Sequence, residues 1–288
     1  MTPLRLATRS SAQARTQAEV VARVLEASDP NCSVELVFVD TTGDRHQDVA
    51  LHQIGGQGVF VKEVQVAVLE GRADVAVHSA KDLPSTPTDG LVIGAFGSRR
   101  DPRDALVGRS LADLVDGATV ATGSVRRRAQ LAGMRPDLRF VELRGNIQPR
   151  LAKVPDGGAI VMAAAALEVL GLTDRIAEAF APEVFVPQVG QGAVAVECRA
   201  DEEGVLAVLR AVDHEPTRRD VELERAFLAE IGSGCSLPVG AHVAGRRLLT
   251  YLARDDGNVH RAEVDLDGDD NKDNDLAIVR RAAHDALG

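Results

Sequence analysis

Leu4-Arg-Leu-Ala-Thr8 and Val34-Glu-Leu-Val-Phe-Val39 flank the stretch Ala12 to Ala27, where Ala14, Ala18, Val21 and Leu25 recur at helical spacing. This is a β-α-β rhythm. It continues with a helix from Val61 to Glu70 and strands from Asp74 to His78 and Leu91 to Phe96, which predicts a mainly parallel sheet with helices on its faces. The polar run Gly97-Ser-Arg-Arg-Asp-Pro-Arg-Asp104 reads as a hinge or linker. A second α/β lobe follows, with strands expected at Thr119 to Thr122, Leu138 to Leu143 and Ala159 to Met162. Its helices are expected near Val125 to Gly133, Ile147 to Lys153 and Ala164 to Leu170. Pro187-Gln-Val-Gly-Gln-Gly192 then looks like a second crossover, with Ala193 to Glu197 a strand returning to the first lobe. Two crossings between two lobes make a hinged cleft. From Glu215 the pattern changes to an amphipathic helix, Pro216 to Glu230, a Gly-rich loop around Cys235, strand-like segments and a last helix from Leu276 to Leu287. The expected architecture is therefore α/β in residues 1–97 plus 193–210 and again in 103–188, with a small α+β C-terminal domain in 215–288.

The 288 residues are 45% apolar and 26% charged, as in an ordinary globular protein. A net charge of −10 argues against general affinity for nucleic acid or an anionic membrane, and Arg126 to Arg128 lack the helix-turn-helix and basic face that DNA binding requires. Aromatic residues are only 3% and Trp is absent, so recognition by stacked rings has little material. Ionic and hydrogen-bond recognition is expected instead. Cys32, Cys198 and Cys235 form no C-x-x-C pair, which excludes a zinc ribbon and a disulfide framework. No apolar run of signal-peptide length precedes Arg5 and Arg9, and Ala159 to Leu167 is too short to span a bilayer, so a cytoplasmic protein is expected. Asp265-x-Asp267-x-Asp269 hints at a calcium loop, but Gly268 stands at the fourth position rather than the sixth and no Glu closes the loop. No metal site is expected.

Charge is unevenly distributed. From Arg99 to Lys153 there are twelve Lys/Arg and six Asp/Glu, a local +6 that leaves −16 for the rest. In Thr122-Gly-Ser-Val-Arg-Arg-Arg128 a strand gives way to a helix with Ser124 as N-cap, and such a terminus favours an anion. Arg126, Arg127 and Arg128 lie in the first turn, where the macrodipole disfavours cations, so helix stability does not explain them. The bland alternative is three solvated arginines. Three more loops occupy the same position past a strand's carboxyl end, where open α/β sheets bind ligands: Arg9 and Ser11, Lys81-Asp82-Leu83-Pro84, and Arg144-Gly145-Asn146. Each alone reads as an ion pair, a turn or a solvated end. Together they would line one cleft with at least five cations and one carboxylate, which makes Asp82 the candidate acid/base. His78, ending an apolar strand, reads as a core histidine. Gly232-Ser-Gly-Cys235-Ser-Leu-Pro238 puts a thiol in a flexible loop, whereas Cys32 and Cys198 read as incidental. Gly55-Gly-Gln-Gly58-Val-Phe60 is a mobile loop rather than a phosphate loop, lacking Gly-Lys-Ser/Thr.

These stretches together resemble the hydroxymethylbilane synthase, or porphobilinogen deaminase, family along essentially the whole chain. The resemblance rests on Arg5-Leu-Ala-Thr-Arg9, Ala76-Val-His-Ser-Ala-Lys-Asp-Leu-Pro84, Asp101-Pro-Arg-Asp-Ala105, Leu143-Arg-Gly-Asn146, Val189-Gly-Gln-Gly-Ala193, Val196-Glu-Cys-Arg199 and Gly234-Cys-Ser-Leu-Pro-Val-Gly240. It implies two lobes like type II periplasmic binding proteins, joined by a double crossover, plus the third domain. It implies a dipyrromethane cofactor held by a thioether to Cys235, and condensation of four porphobilinogen molecules head to tail with loss of ammonia. Hydrolysis then releases the linear tetrapyrrole, a step in haem biosynthesis. Each ring carries an acetate and a propionate, which a locally basic lobe compensates. The implied catalytic residue is Asp82, stabilising positive charge on the azafulvene left by ammonia. Cofactor contacts are implied for Lys81, Asp82, Thr122, Ser124, Arg126, Arg127, Arg144 and Gly145. Substrate contacts are implied for Arg9, Ser11, Phe60, Arg144, Arg150 and Gln191. The family also implies a monomer acting on a small molecule, with neither nucleic acid nor membrane as partner.

Some positions depart from the commoner family pattern: Gln57 for a frequent Lys, Thr42 where Arg is common, Ala12-Gln13 for Pro-Leu, Gly123 for Ser, and Gln148-Pro149 before Arg150. The third domain also ends early. Two other classes share parts of the pattern. A cytosolic binding module would have the cleft without needing the Cys235 loop, and a thiol hydrolase would need a histidine partner that neither His214 nor His242 supplies by spacing.

Overall fold

The computed structural model describes residues 3–45, 58–232, 237–254, 256–268 and 271–288. Cys235, Gln57, the Gly55 to Gln57 part of the glycine-rich loop, and Asp269 of the acidic stretch lie outside the described residues.

Along the chain the first elements are β1 (Leu4–Arg9), α1 (Ala12–Ser28), β2 (Val34–Val39), the short α2 (Thr42–Arg45), α3 (Lys62–Leu69), β3 (Val75–Ser79) and β4 (Leu91–Phe96). Helix α1 forms as its periodicity requires: Ala18, Val21 and Leu25 are its buried residues, and the Ser11 hydroxyl caps its start. The chain then enters β5 (Asp104–Val107), β6 (Thr119–Ala121), α4 (Val125–Met134), β7 (Arg139–Val141), α5 (Ile147–Leu151), β8 (Ala159–Ala163), α6 (Ala164–Val169) and β9 (Ile176–Ala179). It returns as β10 (Val194–Arg199) and α7 (Glu203–Arg210), and finishes with α8 (Glu215–Ile231), β11 (Val239–Ala244), β12 (Arg247–Ala253), β13 (Val259–Asp265) and α9 (Lys272–Leu287).

The strands form three sheets, ordered β2-β1-β3-β10-β4, β7-β6-β8-β5-β9 and β11-β12-β13. The two larger sheets repeat one plan. In each, the strand in fourth place is the one delivered by a crossover, and it alone runs antiparallel: β10 against β3 and β4, and β5 against β8 and β9. This is the architecture of type II periplasmic-binding-protein lobes, expected from the resemblance and present in the topology although no sequence repeat announces it. The polar run read as a linker ends inside this plan, because Asp104 is already the first residue of β5. Strand β9 and helix α7 were not anticipated. Residues Glu203 to Arg210 show an amphipathic face, with Leu206 and Leu209 buried, but the run is short.

Apolar cores fill each unit. Leu6, Leu25, Val75, Val196 and Leu209 pack between α1, α7 and the first sheet. Leu106, Val120, Leu131, Phe180 and Phe185 fill one face of the second sheet, with the two phenylalanine rings stacked at 4.7 Å. Leu223, Phe227, Leu248, Val279 and Ala283 join α8 and α9 to the third sheet. The two crossovers touch closely: a Cβ on Gly192, whose φ is +88°, would lie 2.6 Å from Arg100 O. A side chain there would push the crossovers apart. Third-domain packing fastens the same joint, where the fully buried Glu224 accepts from Arg99 Nη1 at 2.6 Å, Gly190 N at 2.8 Å and Val243 N at 2.9 Å.

Candidate active site

Four strand ends converge on one cavity of about 300 Å³. Strand β1 ends at Arg9, and Ser11 begins α1 with its Oγ accepting from Ala14 N at 3.4 Å. Strand β3 runs into a 3-10 turn, Ala80–Asp82, that carries Lys81 and Asp82 past its carboxyl end. After β6 the chain passes through Thr122 and Gly123 to Ser124, whose Oγ accepts from Arg127 N at 3.4 Å and starts α4. After β7 comes Arg144-Gly145-Asn146 and then α5. Arg9, Ser11, Phe60, Lys81, Asp82, Ser124, Arg126, Arg127, Arg144, Gly145 and Arg150 all line the cavity. Helix α8 and the third sheet reach it through Arg225, Leu228, Leu237 and Val239.

Arg126 and Arg127 are not solvated, being only 3% and 7% exposed; Arg128 alone is exposed. Their place in the first turn of α4 is explained by Asp104, fully buried at the start of β5. Its Oδ2 accepts from Arg126 Nη1 and its Oδ1 from Arg127 Nε, both at 2.7 Å. Burial raises the Asp104 pKa, but the two guanidinium groups outweigh it and hold the carboxyl down at about 2. Arg127 spends further donors on Val161 O and Gln191 Oε1. Arg126 Nη1 also reaches Val186 O at 2.6 Å, while its Nε and Nη2 are buried with no hydrogen-bond partner. Arg144 Nε is likewise buried and unpartnered. Burial, with Arg127 and Arg144 nearby, lowers Arg150 to about 10, and burial with Arg127 lowers the Lys81 ammonium to about 8. Among the described residues, these cations outnumber the carboxylates that meet them in the cavity.

On the opposite wall Arg9 is already occupied, with its Nη2 2.5 Å from Asp44 Oδ1, its Nε 3.0 Å from Oδ2, and its guanidinium 4.3 Å from the centre of the Phe60 ring. Asp82 differs from every other carboxylate here. Among the described residues nothing hydrogen-bonds its side chain, whereas its turn is held through backbone carbonyls, Lys81 O by Gln188 Nε2 at 3.1 Å and Pro84 O by Arg225 Nη2 at 2.8 Å. The backbone is clasped and the carboxylate stays available. His78 Nε2 lies 3.2 Å from Glu197 Oε2 in the buried part of the first sheet, a core pairing.

Two expected contacts are absent from the cavity wall. Thr122 is buried, with Oγ1 accepting from Ser124 N at 3.2 Å. Gln191 is fully buried behind the wall, donating to Pro102 O at 2.7 Å and Asp104 Oδ1 at 3.2 Å. Sequence reading missed Asp104, Asp44 and Arg225. Asp104 was in view inside Asp101-Pro-Arg-Asp-Ala105, but only the antiparallel insertion of β5 brings it under α4.

The family model described as "Porphobilinogen deaminase, dipyromethane cofactor binding domain" matches residues 4–207. The chain belongs to the porphobilinogen deaminase family. It is 46% identical to the porphobilinogen deaminase of Thermobifida fusca (strain YX), covering 99% of this chain and 93% of that one. It is 50% identical to the porphobilinogen deaminase of Acidothermus cellulolyticus, covering 83% and 74%. Among solved structures it overlaps a TRAP periplasmic solute binding protein from Desulfovibrio salexigens at 12% identity, with a TM-score of 0.43 over 75% of this chain and 73% of that one. As a porphobilinogen deaminase it has a dipyrromethane cofactor-binding domain, and the donors fit such a group: the spare donors of Arg126 and Arg144 are what acidic ring substituents would satisfy.

Proposed function

We propose that porphobilinogen is condensed in this cleft, four molecules head to tail with loss of ammonia, onto a dipyrromethane held by a thioether to Cys235, before hydrolysis releases hydroxymethylbilane. One observation carries the reading: among the described residues a single carboxylate without a hydrogen-bond partner, Asp82, shares a cavity with Arg9, Lys81, Arg126, Arg127, Arg144 and Arg150. The dipyrromethane, when bound, supplies the pyrrole end to which rings are added. Lys81, Ser124, Arg126, Arg127, Arg144 and Gly145 hold its side chains, with Thr122 bracing Ser124 from behind. Arg9, Ser11, Phe60, Arg144 and Arg150 take the incoming substrate, and Gln191 acts at one remove through Arg127.

Asp82 accepts hydrogen bonds from pyrrole N–H groups and stabilises the positive charge that develops as ammonia departs. It also moves protons at the reacting ring. The clasp on its turn fixes the backbone without spending the carboxylate's lone pairs, as an acid/base group requires. The family resemblance supports a monomer, and the free thiols of Cys32 and Cys198 support the reducing cytoplasm. Residues 1–97 with 193–210, 103–188 and 215–288 are its three domains in this reading.

The test is the intact mass of the denatured protein beside that of Cys235→Ser. An excess equal to a dipyrromethane in the first and absent from the second is the expected result. No excess after incubation with porphobilinogen would instead leave a two-lobed binding protein.

A further inference from the structure

The Asp104 carboxylate takes no part in the chemistry outlined above, yet it is fully buried and bridges the two arginines that open α4. Two guanidinium groups side by side at a helix N-terminus repel each other and the helix dipole. Without an anion beneath them they would turn outward, as the neighbouring Arg128 does. Asp104 fixes them by one bond each on separate oxygens, and Gln191 Nε2, 3.2 Å from Oδ1, holds the carboxylate in turn. The bridge occupies Nη1 of Arg126 and leaves Nε and Nη2 buried beside the cavity without partners. It also leaves the group as a whole with one positive charge in excess.

We infer that Asp104 is a positioning residue for ligand binding: it aims the free edge of Arg126 into the cleft, braced through Arg127 and Gln191, so that a carboxylate of the cofactor or substrate meets a preoriented donor pair. This rests on the proposed function of the cleft. The crossover strand β5 supplies Asp104, so the binding edge of the second lobe is set by the segment that joins the lobes.

The experiment compares wild type with Asp104→Asn, which keeps the shape and removes the charge. The expected result is a KM for porphobilinogen raised at least about tenfold with kcat held within about threefold, and a lowered fraction of chains bearing the cofactor mass. If the uncompensated arginines prevent folding, Asp104→Glu keeps the charge while displacing it by one methylene, and a shift of KM and cofactor mass in the same direction is expected. A folded variant of either kind with wild-type KM and full cofactor mass overturns the inference, as does a fall in kcat at unchanged KM. A wild type that carries no cofactor mass and consumes no porphobilinogen fails the proposed function itself, and is thereby told apart.

Discussion

The two walls of the cleft handle their cations differently. On the first lobe Arg9 is neutralised by Asp44 and stacked on Phe60, and the available group is a carboxylate, Asp82. On the second lobe one buried carboxylate, Asp104, serves two arginines, and buried guanidinium donors remain unsatisfied on Arg126 and Arg144. In the proposed reading one wall offers an acid/base group, and the other offers charge for ligand carboxylates. In that reading Arg126, Arg127, Arg144 and Arg150 form a binding surface whose orientation is built in, rather than a loose cationic cloud.

The contrast is most exposed to failure at Asp82. In Asp82→Asn we expect kcat to fall by about 10² or more while the cofactor mass is retained, and near wild-type turnover would erase the division between the walls. Next is Arg126→Ala, which removes a charge-assisted donor pair; a loss of about 10- to 100-fold in kcat/KM, with incomplete cofactor loading by mass, is expected. Lys81 gives a sharper test by pH. Its ammonium is charged below about 8 and neutral above, so KM should rise as pH passes through about 8, and Lys81→Gln should lack that inflection. The smallest effect belongs to Arg128→Ala. This exposed guanidinium sits 5.7 Å from the Phe140 ring centre, and KM should change less than about twofold.

Periodicity made α1 and α8 readable because each presents a regular apolar stripe to its sheet, whereas α4 was readable from its Ser124 cap, since its buried face is mostly Arg126, Arg127 and Gln130. The loops at the ends of β1, β3, β6 and β7 were readable too, since glycines, caps and charged residues cluster there. The shared plan of the two large sheets was not, because which strand occupies fourth place depends on where a crossover lands, a non-local fact that propensity does not encode. The same limit applied to the site. Arg126 and Arg127 were legible as cations out of place on a helix, but the reason, Asp104, lies on a strand that joins the sheet from the other side. Thr122 and Gln191 show the converse: both sit inside suggestive motifs and turn out to brace the wall from behind.

The clasp on the Asp82 turn has a mechanical consequence. Lys81 O is gripped from the second crossover and Pro84 O from α8. The turn that carries Asp82 is thus fastened from two elements outside its own strand. Any shift of the second crossover or of α8 would therefore be felt at Asp82, so the position of this carboxylate is set by elements remote from it in sequence.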